Sequence, residues 1–163
     1  MLWRKIEVFM DVITYHESGL YDLKPNVISF IPYEENIDFN NEKKVAYTES
    51  TIPIKKLFAE NNIISELAFS NFKDCVFSEN HSIEWFGPTI FFPLMVISQN
   101  PQVVSFCINI ISNYVYDLFK GRSKDPEIKC NFIYEEKNGK KEIHYNGPVT
   151  GLKEIKDIII GKK

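Results

Sequence analysis

The segment Glu79–Trp85 holds the residues of this chain best suited to acid–base chemistry, because His81 lies between two glutamates. A histidine near a carboxylate can act as a general base at neutral pH. On a strand, however, side chains alternate between faces, so His81 and Glu84 would point to opposite sides. A surface histidine is the simpler interpretation. His81 and Glu84 are the catalytic candidates only if the chain is a small hydrolase or transferase.

Three further groups have suitable residue types, and each also fits an ordinary solvated surface. They are His16 with Glu17; Glu34, Glu35 and Asp38, which suit a divalent cation; and His144 with Lys129, Asn131 and Lys141, which suit an anion. Cys75 follows Asp74, and a neighbouring carboxylate favours the protonated thiol, which is the wrong direction for a nucleophile.

Motifs of good specificity are missing from the sequence. It contains no phosphate-binding loop, no dinucleotide fingerprint, no nucleophile elbow and no HExxH zinc motif. The three histidines are scattered, and no cysteine or histidine pair has the spacing of metal ligands. We therefore expect no cofactor and no metal, and the residues favour a protein that is not an enzyme.

The elements around these residues include an uncharged run from Trp85 to Tyr116, in a chain in which 25% of residues are charged. Its second half predicts a helix over 101–120, with Asn100 as N-cap, Pro101 at the first position and Gly121 just past the end. One half of this helix is apolar. The other half carries amides and hydroxyls, of which Ser105, Asn109, Ser112, Asn113 and Tyr116 are the interface candidates.

Three environments suit such a helix: a membrane, the core or an interface. The amides and hydroxyls argue against a membrane span, which needs about 20 predominantly apolar residues. The apolar half belongs to the core. The polar stripe either touches solvent or forms hydrogen bonds with a partner without burying charge.

The remaining pattern predicts an α+β fold, with a mainly antiparallel sheet against which the long helix, a β-hairpin and a terminal helix pack. Strands are expected over 3–15, 27–31, 43–48 and 82–86, and a helix from Thr51 to Glu60. Residues 65–78 fit neither the helical period nor the alternation of a strand, and we interpret their first half as helical. Gly87-Pro88 predicts a turn, and the last helix is expected from Thr150 to Gly161.

The hairpin is predicted from Asn138-Gly139, a strong two-residue turn signal. With this dipeptide at the turn, Tyr134 pairs with Ile143 and Phe132 with Tyr145. All four side chains then lie on one face.

The whole chain, residues 1–163, is expected to form a single domain, since 44% hydrophobic and 14% aromatic residues are typical of a packed globule. Residues 1–116 carry 14 acidic against 8 basic residues, and residues 117–163 carry 8 against 11. Neither part is basic enough for nucleic acid. Three unpaired cysteines and a charged Met1–Glu7 predict a reduced cytoplasmic protein without a secretion signal.

The order of apolar helix, hairpin and Gly147–Leu152 helix start resembles that of small bacterial proteins, and the abundant Ile, Asn and Lys suggest an AT-rich genome. Our hypothesis is a non-catalytic domain that binds a protein partner or a second copy of itself through the polar stripe. The alternatives are the His81–Glu84 enzyme and a small-ligand or nucleotide sensor that stacks its ligand on Trp85, Phe86 or Tyr145.

Overall fold

The computed structural model describes residues 9–16, 23–39, 42–78 and 85–161. These ranges contain nine strands and four α-helices, and confirm the α+β class. The strands are β1 (Phe9–Thr14), β2 (Ile28–Ile31), β3 (Glu34–Phe39), β4 (Glu42–Thr48), β5 (Ser65–Leu67), β6 (Cys75–Ser78), β7 (Trp85–Phe92), β8 (Glu127–Glu136) and β9 (Gly139–Pro148). The helices are α1 (Thr51–Glu60), α2 (Leu94–Gln99), α3 (Pro101–Leu118) and α4 (Leu152–Ile160).

Six strands form the main sheet in the order β1-β9-β8-β7-β2-β5, and a second sheet has the order β3-β4-β6. The main sheet is mixed: β7 pairs parallel with β8 and β2 parallel with β5, while the other neighbours are antiparallel. Parallel pairing of β7 with β8 needs a crossover, which α2 and α3 supply. The uncharged run is therefore one strand and its crossover helices.

The main core lies between the helices and one face of the six-stranded sheet. Alternation along each strand directs every second side chain into it, including Phe30, Ile90, Phe132 and Ile143, each 0% exposed. The helices close this layer with Ile54, Cys107, Val115, Leu152 and Ile155. Among the described residues, the opposite face of the sheet carries a small apolar cluster around Ile31, Phe91 and Ile133.

The hairpin register differs from the prediction by two residues. Phe132 pairs with Ile143 and Cys130 with Tyr145, and the two turn residues are Lys137 and Asn138. A type I′ turn at Asn138-Gly139 needs positive φ at both residues, but only Gly139, at φ 140°, has it. Because a shift of two keeps every side chain on its face, the alternating pattern could not distinguish the two registers.

Three local predictions were also wrong. The first half of residues 65–78 is not helical, because it contains β5, which pairs with β2. Gly87-Pro88 is not a turn but lies within β7, at an irregularity in its pairing with β8. Thr150 does not cap α4: its hydroxyl donates to Asp125 Oδ2 at 3.0 Å, and a 3-10 turn over Val149–Gly151 precedes the helix.

Candidate functional site

The outer face of α3 carries the predicted interface residues. Asn109, Asn113 and Tyr116 are exposed, whereas Ser105 and Ser112 are half-buried at the sides of the helix. Phe106, which was not among the interface candidates, joins the exposed group with 57% of its surface accessible. The stripe therefore has an aromatic ring near each end and amides between them.

The exposed residues of this stripe follow a regular spacing. Gln102, Phe106, Asn109, Asn113 and Tyr116 are separated alternately by four and three residues, and all five are exposed. This alternation keeps them in a single seam along the helix, as in the contact line of helices that pack against each other. We call these five residues the α3 seam.

The other side of α3 packs into the hydrophobic core. Val104, Cys107, Ile108, Ile111 and Val115 are at most 1% exposed. The helix also contacts α1, α2 and α4. Among the helices that the structure describes, none combines the length and the hydrophobicity of a membrane span.

A second candidate site is a cleft of about 380 Å³ on the sheet face opposite the helices. Its floor comes from β2, β7 and β8, and its walls from the end of β1, from β9 and from the segment that follows β2. The lining residues are Tyr15, His16, Ile31, Pro32, Tyr33, Glu35, Thr89, Asn131, Ile133 and Glu142. We call this the sheet-face cleft.

The hairpin register places the most polar part of this cleft. Asn131 pairs with His144 and Ile133 with Glu142, and β1 places Ile13 on the other side of Glu142. Glu142 therefore lies between Ile13 and Ile133, its neighbours on the two adjacent strands. Its Oε1 is 3.1 Å from His144 Nε2, and the glutamate side chain is 18% exposed. A carboxylate with so little water around it interacts strongly with nearby charge.

The structure brings together residues that the sequence had assigned to separate groups. His16 and Glu35 line the same cleft as Asn131, a residue of the predicted anion site. Lys141 does not join that site, because it pairs with Tyr134 and lies on the other face from His144. In the described part of the chain, no group of histidine, cysteine and acidic side chains can hold a metal ion.

Some candidates lie elsewhere. His81 and Glu84 fall outside the described residues. Of the proposed stacking rings, Trp85 is 7% and Tyr145 is 1% exposed, so protein already covers their faces. Phe86 is half-buried, with Lys129 Nζ 5.4 Å from its ring centroid.

Cys75 favours the protonated thiol, as its neighbour Asp74 predicts. Burial raises its pKa, and the charge of Asp74 raises it further, against a smaller opposing effect of Lys44. A protonated thiol is a poor nucleophile at neutral pH. Cys75 is therefore not an activated cysteine.

Of the cleft lining, sequence reasoning had singled out only His16, Glu35 and Asn131. Among the lining residues it missed, Tyr15, Tyr33 and Glu142 have the side chains best suited to bind a ligand. Strand alternation was a usable signal for Glu142, because it is two residues from His144 and shares its face. The two tyrosines carried no such signal. They line the cleft because each lies in the segment just after a strand, Tyr15 after β1 and Tyr33 after β2.

No protein family, curated protein or solved structure was found to match this chain.

Proposed function

We propose that this protein is a non-catalytic interaction domain that forms a homodimer through the α3 seam. The observation that carries the proposal is the composition and spacing of the seam, which is exposed, free of charge and arranged in one line. Interfaces are depleted in charge at their centre and enriched in aromatic residues. The α3 seam has both properties.

The α3 seam is self-complementary when two copies pack antiparallel. With the two-fold axis beside position 111, Phe106 of one copy faces Tyr116 of the other, and Asn109 faces Asn113. Gln102 then faces Lys120, which is also exposed. In a two-fold interface every contact occurs twice, once from each copy, so the surface has to be complementary to itself. The aromatic pairs lie on either side of the amide pairs. Apolar groups therefore pack against apolar groups, and amides can form hydrogen bonds with amides.

The size of the contact sets the expected affinity. An 18-residue helix is about 27 Å long, so a single seam is at the small end of specific interfaces. We expect a reversible dimer with a Kd in the range of about 1–100 μM. Dimerisation is therefore to be measured by sedimentation equilibrium across this concentration range.

Two arginine substitutions test the location of the interface. Phe106→Arg and Tyr116→Arg each bury a charge without an acidic partner at two places in the dimer, and should weaken dimerisation at least tenfold because that charge loses its hydration. Ile64→Arg is the matched control, since Ile64 is 78% exposed and lies outside α3. Unchanged dimerisation in both seam variants, or a monomeric parent protein at 100 μM, would contradict the proposal.

Cross-linking tests the antiparallel arrangement. A mixture of Phe106→Cys and Tyr116→Cys chains should form an interchain disulfide between the two variants under mild oxidation. Each variant alone should form far less. A parallel arrangement would reverse this result, because identical positions would then face each other.

We also propose a cytoplasmic location, supported by the three free cysteines among the described residues. Thiol labelling of the protein in intact cells tests this, because all three thiols should be reduced there.

A further inference from the structure

We propose that the sheet-face cleft binds a small organic cation that carries a guanidinium or primary ammonium group. The proposal is independent of the α3 seam, which lies on the helix side of the sheet. It starts from the charge of the lining. Two carboxylates, Glu35 and Glu142, face the cleft, and the lining residues in the described chain include His16 but no lysine or arginine. Glu142 Oε1 also contacts His144 Nε2 at 3.1 Å, so a bound cation would add to an existing contact of this carboxylate.

The two carboxylates come from different parts of the fold. Glu142 projects from β9, and Glu35 belongs to β3, which follows β2. In the sheet order, β8 and β7 separate β9 from β2, so the two acids enter the cleft from different sides. Between them Thr89 and Asn131 supply polar groups to the lining, whereas Ile31 and Ile133 are buried beneath it. A compact cationic group with several hydrogen-bond donors matches this polar lining.

The tyrosine walls favour a cation as well. Tyr15 and Tyr33 both line the cleft, and an aromatic face attracts ammonium and guanidinium groups. The same face of the sheet already uses this interaction twice. Lys129 Nζ lies 5.4 Å from the Phe86 ring centroid, and Lys140 Nζ lies 5.9 Å from that of Phe91.

Other ligand classes fit less well. An anion would meet two carboxylates without a lysine or arginine partner in the lining. A metal ion would need a cluster of ligands, and the described residues provide none. A neutral polyol would use the hydrogen-bonding groups but not the charge. Comparing the binding of a charged probe with that of a neutral probe of the same shape distinguishes a cation from a neutral polyol.

Butylguanidine and butylurea are the probes, because they share size and shape and differ in charge. Titration calorimetry of the full chain should show butylguanidine binding at least about tenfold more tightly than butylurea. Raising the salt concentration should weaken only the cation. Equal affinity for the two probes, or no binding of butylguanidine up to 20 mM (about the weakest affinity worth calling a site), would overturn the proposal.

Isosteric variants assign the effect to the cleft. Glu142→Gln and Glu35→Gln each remove one charge and should weaken butylguanidine binding about tenfold. Glu136→Gln is the matched control, since Glu136 is exposed at the distal end of the same hairpin. Its affinity should equal that of the parent, and a loss as large as in Glu142→Gln would contradict the assignment. Circular dichroism checks that each variant is folded.

A final comparison identifies the source of the cation. The capped peptide acetyl-Gly-Arg-Gly-amide presents the same guanidinium on a protein backbone. If the peptide binds as well as butylguanidine, the cleft accepts an arginine side chain of a partner. If only butylguanidine binds, the natural ligand is a free small molecule.

Discussion

At the scale of single residues, burial suppresses the ionisation of several thiol and phenol groups in the described chain. Burial raises the pKa of the Cys107 and Cys130 thiols far above the ordinary value of 9.0. Burial also raises the pKa of the Tyr47 phenol, although its contact with the Phe69 backbone opposes this. All three residues are packed in the hydrophobic core.

The buried thiols predict a loss of stability in alkali. Their pKa is higher in the folded than in the unfolded chain, so their contribution is complete below pH 9 and falls as pH rises above it. For each thiol, the free energy of unfolding should fall by up to about 1.4 kcal/mol for every pH unit above 9. Urea denaturation at pH 8, 9 and 10 measures this. The Cys107→Ala/Cys130→Ala double variant should lose less stability over the same range.

Gly151 predicts a coupled pair of substitutions. A Cβ at this position would lie 2.0 Å from Tyr145 Oη, and the tyrosine is 1% exposed and donates to the Pro148 carbonyl at 2.5 Å. Gly151→Ala should therefore cost about 1–3 kcal/mol. In the Tyr145→Phe background the same change should cost less, because the clashing oxygen is gone. A double-mutant cycle by chemical denaturation detects this coupling, and additive effects would contradict it.

At the scale of elements, long periodic segments were predicted correctly, whereas short segments without a clear period and the register between strands were not. The periodicity of α3 and its Pro101 start predicted the helix to within two residues of its end at Leu118. The hairpin strands were also correct. Their register was not, because a shift of two residues keeps every side chain on its face and leaves the alternating pattern unchanged.

The same distinction explains what could be predicted of the sites. Asn109, Asn113 and Tyr116 were assigned to an exposed face from one helical period. The cleft joins Tyr15, Glu35 and Glu142, which lie far apart in the sequence, and only the strand order brings them together. No local pattern records that order.

The hairpin turn gives a prediction at this scale. Gly139 has φ 140°, which a residue with a Cβ adopts only with strain, so Gly139→Ala should destabilise the fold by about 1–3 kcal/mol. Nothing lies within 4 Å of the added methyl group, so the cost comes from the backbone alone. Lys137→Ala in the same turn is the control and should change stability by less than about 0.5 kcal/mol. Urea midpoints of both variants test the difference.

At the scale of the whole molecule, the sheet separates two surfaces. The helices cover one face and present the α3 seam outward, while the other face carries the sheet-face cleft. Because the sheet lies between them, a dimer formed through α3 leaves the cleft open in both copies. The proposed assembly thus has two equivalent cation sites.

This separation predicts how stability depends on concentration. A dimer that dissociates on unfolding raises the unfolding temperature as protein concentration increases. We expect the Tm to rise between about 2 and 200 μM in the parent chain, since this range spans the expected Kd. The Tm of Phe106→Arg should stay constant. Differential scanning calorimetry at several concentrations provides the measurement, and a constant Tm in the parent would contradict dimerisation.

The position of β1 has a consequence for how the protein is made. In the described sheet β1 pairs only with β9, so Phe9 pairs with Asn146, which is far away in the sequence. During translation β1 is therefore made well before its partner strand. Until β9 is made, Val12 and Ile13 lie on an unpaired strand edge, which favours aggregation. We expect the nascent chain to aggregate most readily before β9 is synthesised.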